Sequence, residues 1–557
     1  MTSPVPLRSA LAGAAFTLVL STMSASSPTT PRNAIAPGPF QPTWESLVSQ
    51  YQCPEWFRDA KFGLWAHWSA QCVPETGDWY ARQMYIQGTP ENKLHVARYG
   101  HPSKFGFMEL DNLWRAEKWD PEKLMDLYVR AGAKYFVALA NHHDNFDAYD
   151  SKYHPWNSLR VGPKKDIVGT WARVARARGL RFGVTNHSSH AWHWFQPAYG
   201  YDGEGPDAGV RYDAARLTLA DGKGKWWEGL DPRLLYTAPT IVMPDGLKSI
   251  REVREWHTKH TRPWVEDPPA ANPEFTRTWF LRCQDLVDKY RPDLLYFDNT
   301  GLPLGQAGLD IAAHFYNASR SWHGGKLEAV LNAKILPPEH RPAMVEDYER
   351  GKTEGIMPLP WQTDTCIGNW HYDRSIYEQR KYKSAASVIH MLVDIVSKNG
   401  NLLLSVPVRG DGTIDEKEVS ILEAIAAWMA VNSEAIFATR PWKVYGEGPA
   451  AEEKPEAGEF SGVSDVRKKP FTPEDIRFTQ SKDGRTLYAI ALATPVGGAL
   501  TIKSLASGSA LWPEAVGRVR LLGVDTDLKT TRDASGLHVT LPGRRPSEHA
   551  LALRIQQ

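Results

Sequence analysis

Residues 131–150 read AGAKYFVALANHHDNFDAYD. Within them Tyr135–Asn141 is almost continuously apolar, as a strand buried on both faces should be. Its C-terminal end delivers Asn141, His142, His143 and Asp144. The same arrangement recurs on either side. Phe62–His67 ends in His67, Arg181–Asn186 leads to Asn186-His187, and Leu294–Phe297 runs into Asp298-Asn299. Ala329–Asn332 ends in Asn332, and Met344–Tyr348 carries Asp347-Tyr348 ahead of Glu349. Thr363–Cys366, a weak signal, and Leu402–Val406 bring the number of strand-like runs to eight.

Helical periodicity lies between many of these runs. Leu124, Leu127, Tyr128 and Ala131 share one face of a segment starting at Pro121, with Gly132 as its stop. Asp166–Arg178 ends at Gly179, the stripe Phe275, Trp279, Cys283, Leu286, Val287, Tyr290 closes at Pro292, and Ser384–Lys398 ends at Gly400. Strands alternating with helices imply a parallel sheet. Eight of them imply an α/β chain with an imperfect (β/α)8 TIM-like barrel, imperfect because no helix is evident between the sixth and seventh strands. An open doubly wound sheet would want a Gly-rich phosphate loop after its first strand, and none is present. A long excursion, roughly 195–271, follows the third strand, and excursions of this size usually wall an active site.

The rest of the 557-residue chain frames this barrel. Residues 1–25 read as an export signal, with Arg8 ahead of the apolar run SALAGAAFTLVL, which is too short for a membrane-spanning helix. A Pro/Ala/Thr-rich linker (26–45) precedes the barrel (46–440). A linker or loop (441–473) then leads to short alternating runs with frequent Gly and Pro (474–557), which read as a C-terminal β-sandwich. The signal places the mature protein in the periplasm or outside the cell. Lys+Arg (65) and Asp+Glu (64) nearly cancel, so nothing electrostatic draws the chain to nucleic acid or an anionic membrane. Four scattered cysteines supply neither a disulfide scaffold nor a thiolate zinc site. Of the 22 Trp, 19 precede residue 400, which fits either a large aromatic core or a sugar site, because sugars stack apolar C–H faces on flat rings.

Six consecutive runs ending in His, Asn, Asp or Glu are hard to explain as six separate structural polar groups, since barrel catalytic groups sit at C-terminal strand ends. Metal hydrolysis through His142, His143 and Asp144 is one possibility. Adjacent His on a strand point to opposite faces, however, and no HxH or HExxH pattern occurs, so no metal or other cofactor is expected. Glycoside hydrolysis by paired carboxylates fits the residue types better.

The stretches WFRDAKFGLWAHW (56–68), GDWYARQMY (77–85), 131–158, GPKKDIVG (162–169), RPDLLYFDN (291–299) and NGNLLLSVPVRGDGTI (399–414) resemble the α-L-fucosidases of glycoside hydrolase family 29. The resemblance spans about residues 50–440. It implies a barrel followed by a β-sandwich, a fucosylated carbohydrate substrate, and an exo-acting, retaining α-L-fucosidase. It also assigns roles: Asp298 as nucleophile, His67, His142 and His143 as hydroxyl binders, and Trp79 as an aromatic beside the sugar. Asp78 stands where Glu is common. Glu349 is the expected acid/base, with Glu354 as runner-up and Glu346 and Asp347 nearer the strand body. Trp361 matches a family aromatic, and Gln362 stands where Glu is common. Asn145 replaces a Gly, and Asn186-His187-Ser188 replaces a Tyr-Tyr-Ser run, which puts Asn186 and His187 around the pocket. These departures leave α-L-galactose as an alternative substrate. A non-catalytic sugar-binding barrel and, less favoured, a metal-dependent hydrolase are the alternatives of other classes.

Overall fold

The structure, a computed structural model, describes residues 33–265, 273–454, 456–458, 463–465 and 467–557. Eight parallel strands close into a barrel in chain order: Phe62–Ala66, Tyr135–Asn141, Arg181–Asn186, Leu294–Thr300, Val330–Lys334, Val345–Asp347, Trp361–Cys366 and Gly400–Ser405. All eight expected runs are strands. The last pairs with the first, Leu402 opposite Phe62, which shuts the cylinder. Alternate side chains face opposite ways, as the two-residue period requires. Trp65, Tyr135, Val137, Leu294, Tyr296, Val330, Val345 and Leu403 fill the interior. The residues between them, such as Leu64, Phe136, Val184, Leu295, Leu331 and Leu404, join the core beneath the helices.

The expected helices form at Pro121–Arg130, Ile167–Ala177, Pro273–Tyr290, Ala385–Ser397 and Glu416–Asn432. Asp120, Asp166 and Ser384 cap three of them by accepting from Lys123 N, Gly169 N and Ser387 N. Such a cap is worth about 1 kcal/mol. Between the sixth and seventh strands no helix occurs among the described residues, and those two strands meet at the single pair Asp347–Gln362. Chain released from helix there turns sharply, with Arg350 at φ 46°, before the two-residue strand Gly351–Lys352.

The sandwich has a five-stranded sheet, ordered Thr439–Glu447, Ile476–Ser481, Thr486–Ala491, Leu551–Gln556, Val519–Leu521, and a three-stranded sheet, Ala499–Ile502, Gly536–Thr540, Thr530–Asp533. Its own core includes Trp442, Phe478, Leu553 and Trp512. The first of these strands lies mostly within the stretch read as linker (441–473), where Pro441 and Gly446 mask the alternation. They bracket a register shift in its pairing with Ile476–Ser481. The export signal at 1–25 lies outside the described residues. Of the linker expected at 26–45, the described part is tied down: Ala36 N donates to His314 Nδ1 (2.9 Å), Phe40 N donates to Asn317 Oδ1 (3.0 Å), and Phe40 is buried. Among the described residues no helix is long and apolar enough to cross a membrane.

Candidate active site

A cavity of about 510 Å3 opens at the C-terminal ends of the barrel strands. Its lining includes eight of the ten residues expected from sequence: His67, Asp78, Trp79, His142, His143, His187, Asp298 and Glu349.

The alternation of the strands explains who arrives there. Trp65 and Tyr296 line the floor of the cavity, and two residues further along the same faces come His67 and Asp298. The second strand has ended at Asn141, so His142 and His143 escape strand alternation and both enter the pocket, their rings 4.4 Å apart. Asn186 keeps the parity of Phe182 and Val184 and points outward. It is fully buried, its side chain accepting from Trp279 Nε1 (3.1 Å) on helix Pro273–Tyr290. Trp361 is also absent from the lining. It begins its strand, at the end of the barrel remote from the pocket, and is buried with Nε1 donating to Lys398 O (2.8 Å). The aromatic that reaches the cavity from this strand is Trp370, beyond its far end.

At the centre lie two carboxylates and one ammonium. Lys334 Nζ donates to both Asp298 Oδ1 and Glu349 Oε2, and all three residues are largely buried. The other oxygen of Asp298 accepts from His187 Nδ1 (3.1 Å) and lies 3.2 Å from His143 Nε2. His143 Nδ1 donates to His187 O (2.7 Å), which fixes its ring orientation. Burial alone would raise Asp298, but Lys334 and then His187 outweigh it and hold the carboxyl well below its ordinary range. Burial pushes Glu349 the other way, Lys334 pulls it back, and Asp364 and Asp298 push it up again, leaving it at about 7. One acid is thus held ionised and the other can hold a proton near neutrality, the division of labour acid–base chemistry needs.

The other acids considered for the proton-donor position are engaged elsewhere. Glu346 accepts from Leu336 N (3.0 Å) and Tyr348 Oη (2.9 Å). Asp347 is fully buried and accepts from Gln362 Nε2 (2.8 Å), and burial together with Asp364 raises its carboxyl well above the ordinary range. Glu354 lines a different cavity.

Around this centre sits an imidazole wall. His67 is buried, and neither ring nitrogen has a hydrogen-bond partner among the described residues. Burial, then His371 and His187, hold it well below its ordinary pKa, and burial does the same to His142. Neutral imidazoles each offer one donor and one acceptor, which suits hydroxyls. His371 Nδ1 lies 2.6 Å from Asp78 Oδ1, and Gln71 Nε2 donates to His142 Nδ1 (2.8 Å). The excursion after the third strand contributes Trp264, whose ring meets Trp79 edge-on at 5.6 Å. Asn145 lies outside the pocket. Its φ of 63° explains a Gly preference that Asn satisfies, and its amide donates to Leu234 O and Leu235 O of the excursion.

Two side-chain sets bring metal-ligand atoms within 4.8 Å of one another: His67, Asp78, His142 and His371, and His142, His143 and His187. The opposite-faces argument against a metal therefore fails here, because the strand stops before the pair. Sequence reasoning missed Lys334, Tyr296, Asp364, Trp370, His371 and Trp264. Lys334 had a signal, lying two residues past Asn332 on the same strand face.

Residues 29–434 match the α-L-fucosidase family and residues 468–556 the α-L-fucosidase C-terminal domain. The tissue α-L-fucosidase of Homo sapiens is 27% identical over 554 residues, covering 97% of this chain and 96% of that one. The human plasma α-L-fucosidase is 25% identical over 515 residues, 90% of this chain and 88% of that one. Among solved structures, the Thermotoga maritima α-fucosidase in complex with a mechanism-based inhibitor superposes with a TM-score of 0.66 at 25% identity, covering 93% of this chain and all of that one. The complex of that enzyme with fucose gives 0.65, with the same identity and coverage. With a family match across the whole barrel, the chain belongs to the α-L-fucosidases, glycoside hydrolase family 29.

Proposed function

We propose that the enzyme is an exo-acting, retaining α-L-fucosidase that removes terminal α-L-fucosyl residues from glycans. The observation that carries this is the single ammonium touching both carboxylates. Two acids that share one Lys Nζ have oxygens no further apart than two hydrogen-bond lengths, roughly 6 Å. That bound accommodates the about 5–5.5 Å separation of retaining enzymes, which supports the retaining course.

Asp298 attacks the anomeric carbon as Glu349 gives its proton to the leaving oxygen; the glycosidic C–O bond breaks and a fucosyl ester forms. Glu349, now a carboxylate, takes a proton from water, whose oxygen displaces Asp298 from the anomeric carbon. His67, Asp78, His142 and His143 bind ring hydroxyls, and Trp79 stacks beside the sugar. Trp65, Tyr296 and Trp370 form an apolar wall, with Trp65 5.4 Å from Tyr296 and 5.5 Å from Trp370, which suits the methyl group of a deoxy sugar. The apolar run after Arg8 supports export to the periplasm or beyond.

The test compares aryl α-L-fucoside with aryl α-L-galactoside, which differ by one hydroxyl. The apolar wall predicts a kcat/KM ratio on the order of 10² in favour of fucose; an equal or reversed ratio identifies an α-L-galactosidase. Metal-dependent hydrolysis is the second reading, favoured by the two imidazole sets. Full activity after exhaustive EDTA treatment removes it, and loss restored by zinc or manganese establishes it.

A further inference from the structure

A second cavity, about 500 Å3, lies where the barrel meets the sandwich. At its base Asp394, on helix Ala385–Ser397, is surrounded by three cations from three different elements. Lys398, at the end of the same helix, and Lys352, on the two-residue strand after the sixth barrel strand, each place Nζ 3.0 Å from Asp394 Oδ2. Arg477, on a sandwich strand, places Nε 2.6 Å from Oδ1. Asp394, Lys398 and Arg477 are each at most 5% exposed. One carboxylate thus answers three cations. Buried charge is normally paired, and this cluster carries two positive charges in excess. Among the described residues that line the cavity, Lys and Arg outnumber Asp and Glu by seven to four. Arg467 at the rim is already shared with Glu453 (2.7 Å).

We propose that this junction binds an oxyanion, a sulfate or a carboxylate, held by Lys352, Arg477 and Arg467. The ordering of the cluster agrees with it. Burial drives Lys398 down to about 8, Asp394 holds it up, and Lys352 and Arg477 drive it down again, so an arriving anion relieves a repulsion already present. The cavity is far larger than a bare ion needs and falls in the range of small-ligand sites. A glycan-borne anion therefore fits as well as a free one.

Isothermal titration of the full chain in chloride buffer decides. Sodium sulfate and glucose 6-sulfate are titrated, with glucose as the neutral control. The expectation is saturable one-to-one binding of both anions, no binding of glucose, and at least tenfold weakening by Lys352→Ala and by the rim variant Arg467→Ala. Unchanged turnover of aryl α-L-fucoside in both variants reports an intact fold. Tighter binding of glucose 6-sulfate than of sulfate assigns the site to a glycan-borne anion; equal binding assigns it to the free ion. No saturable heat with either anion, or heat that neither variant alters, overturns the proposal.

Discussion

Two buried charge clusters in this chain use the same ingredients in opposite balance. In the catalytic pocket two carboxylates, Asp298 and Glu349, share one cation, Lys334. At the junction with the sandwich one carboxylate, Asp394, is shared by three cations, Lys352, Lys398 and Arg477. In the first, burial and then the neighbouring Asp364 and Asp298 outweigh Lys334, and Glu349 rises to about 7. In the second the cations prevail, and Asp394 is held well below the ordinary carboxylate range against its burial. Burial disfavours the charged form of all three acids, and the cations placed around Asp298 and Asp394 outweigh it where the one ammonium beside Glu349 does not.

The most drastic way to break the contrast is Asp298→Asn. The amide is nearly isosteric but a poor nucleophile, so turnover should fall to background while the fold, followed by circular dichroism and thermal melting, is retained. Asp394→Asn tests the other cluster through stability. Breaking a buried pair by removing one partner costs about 3–5 kcal/mol, and here three cations are stranded at once. Denaturant unfolding should show a loss of that order, with fucosidase activity unchanged below the transition. The sign in pH follows from linkage: the depressed acid contributes stability above about pH 4, lost as pH falls through its folded value. The Asp394→Asn protein should lack that acid-side loss.

Lys334→Met is a subtler intervention, because Lys334 lowers both acids. Wild-type kcat/KM should fall above about pH 7 as Glu349 loses its proton, and on the acid side as Asp298 gains one. The macroscopic values belong to the pair. Without the ammonium both limbs should move to higher pH, with a smaller loss at the optimum than Asp298→Asn produces. Limbs that stay in place would separate Lys334 from the tuning of the two acids.

The barrel was legible because each strand is a short, densely apolar run with polar residues at one end. Tyr135–Asn141 and Arg181–Asn186 coincide with the observed strands. The site was legible where a polar residue directly followed such a run, as His67, His142 and Asp298 do. It was illegible where residues come from beyond the strand, as Trp370 and His371 do, or from a strand read two residues short, as with Lys334. Asn186 and Trp361 mislead for geometric reasons: one has the wrong parity, and the other sits at the wrong end of its strand. The Asp394 cluster was not found, since only Lys398 is its neighbour in sequence, while Lys352 and Arg477 come from distant segments, the latter through the docking of the sandwich on helix Ala385–Ser397.

The pairing of Asp298 with Glu349 is tested most directly by azide rescue of Glu349→Ala. An aryl α-L-fucoside with an acidic leaving group still forms the ester on Asp298, but hydrolysis of that ester slows, since general acid–base help is worth roughly 10²–10⁴-fold. Azide needs no general base. Its addition should restore turnover, with NMR identifying α-L-fucosyl azide, the configuration of the substrate. The β-anomer, or an unrescued Glu349→Ala whose kinetics match wild type, would contradict double displacement through these two acids.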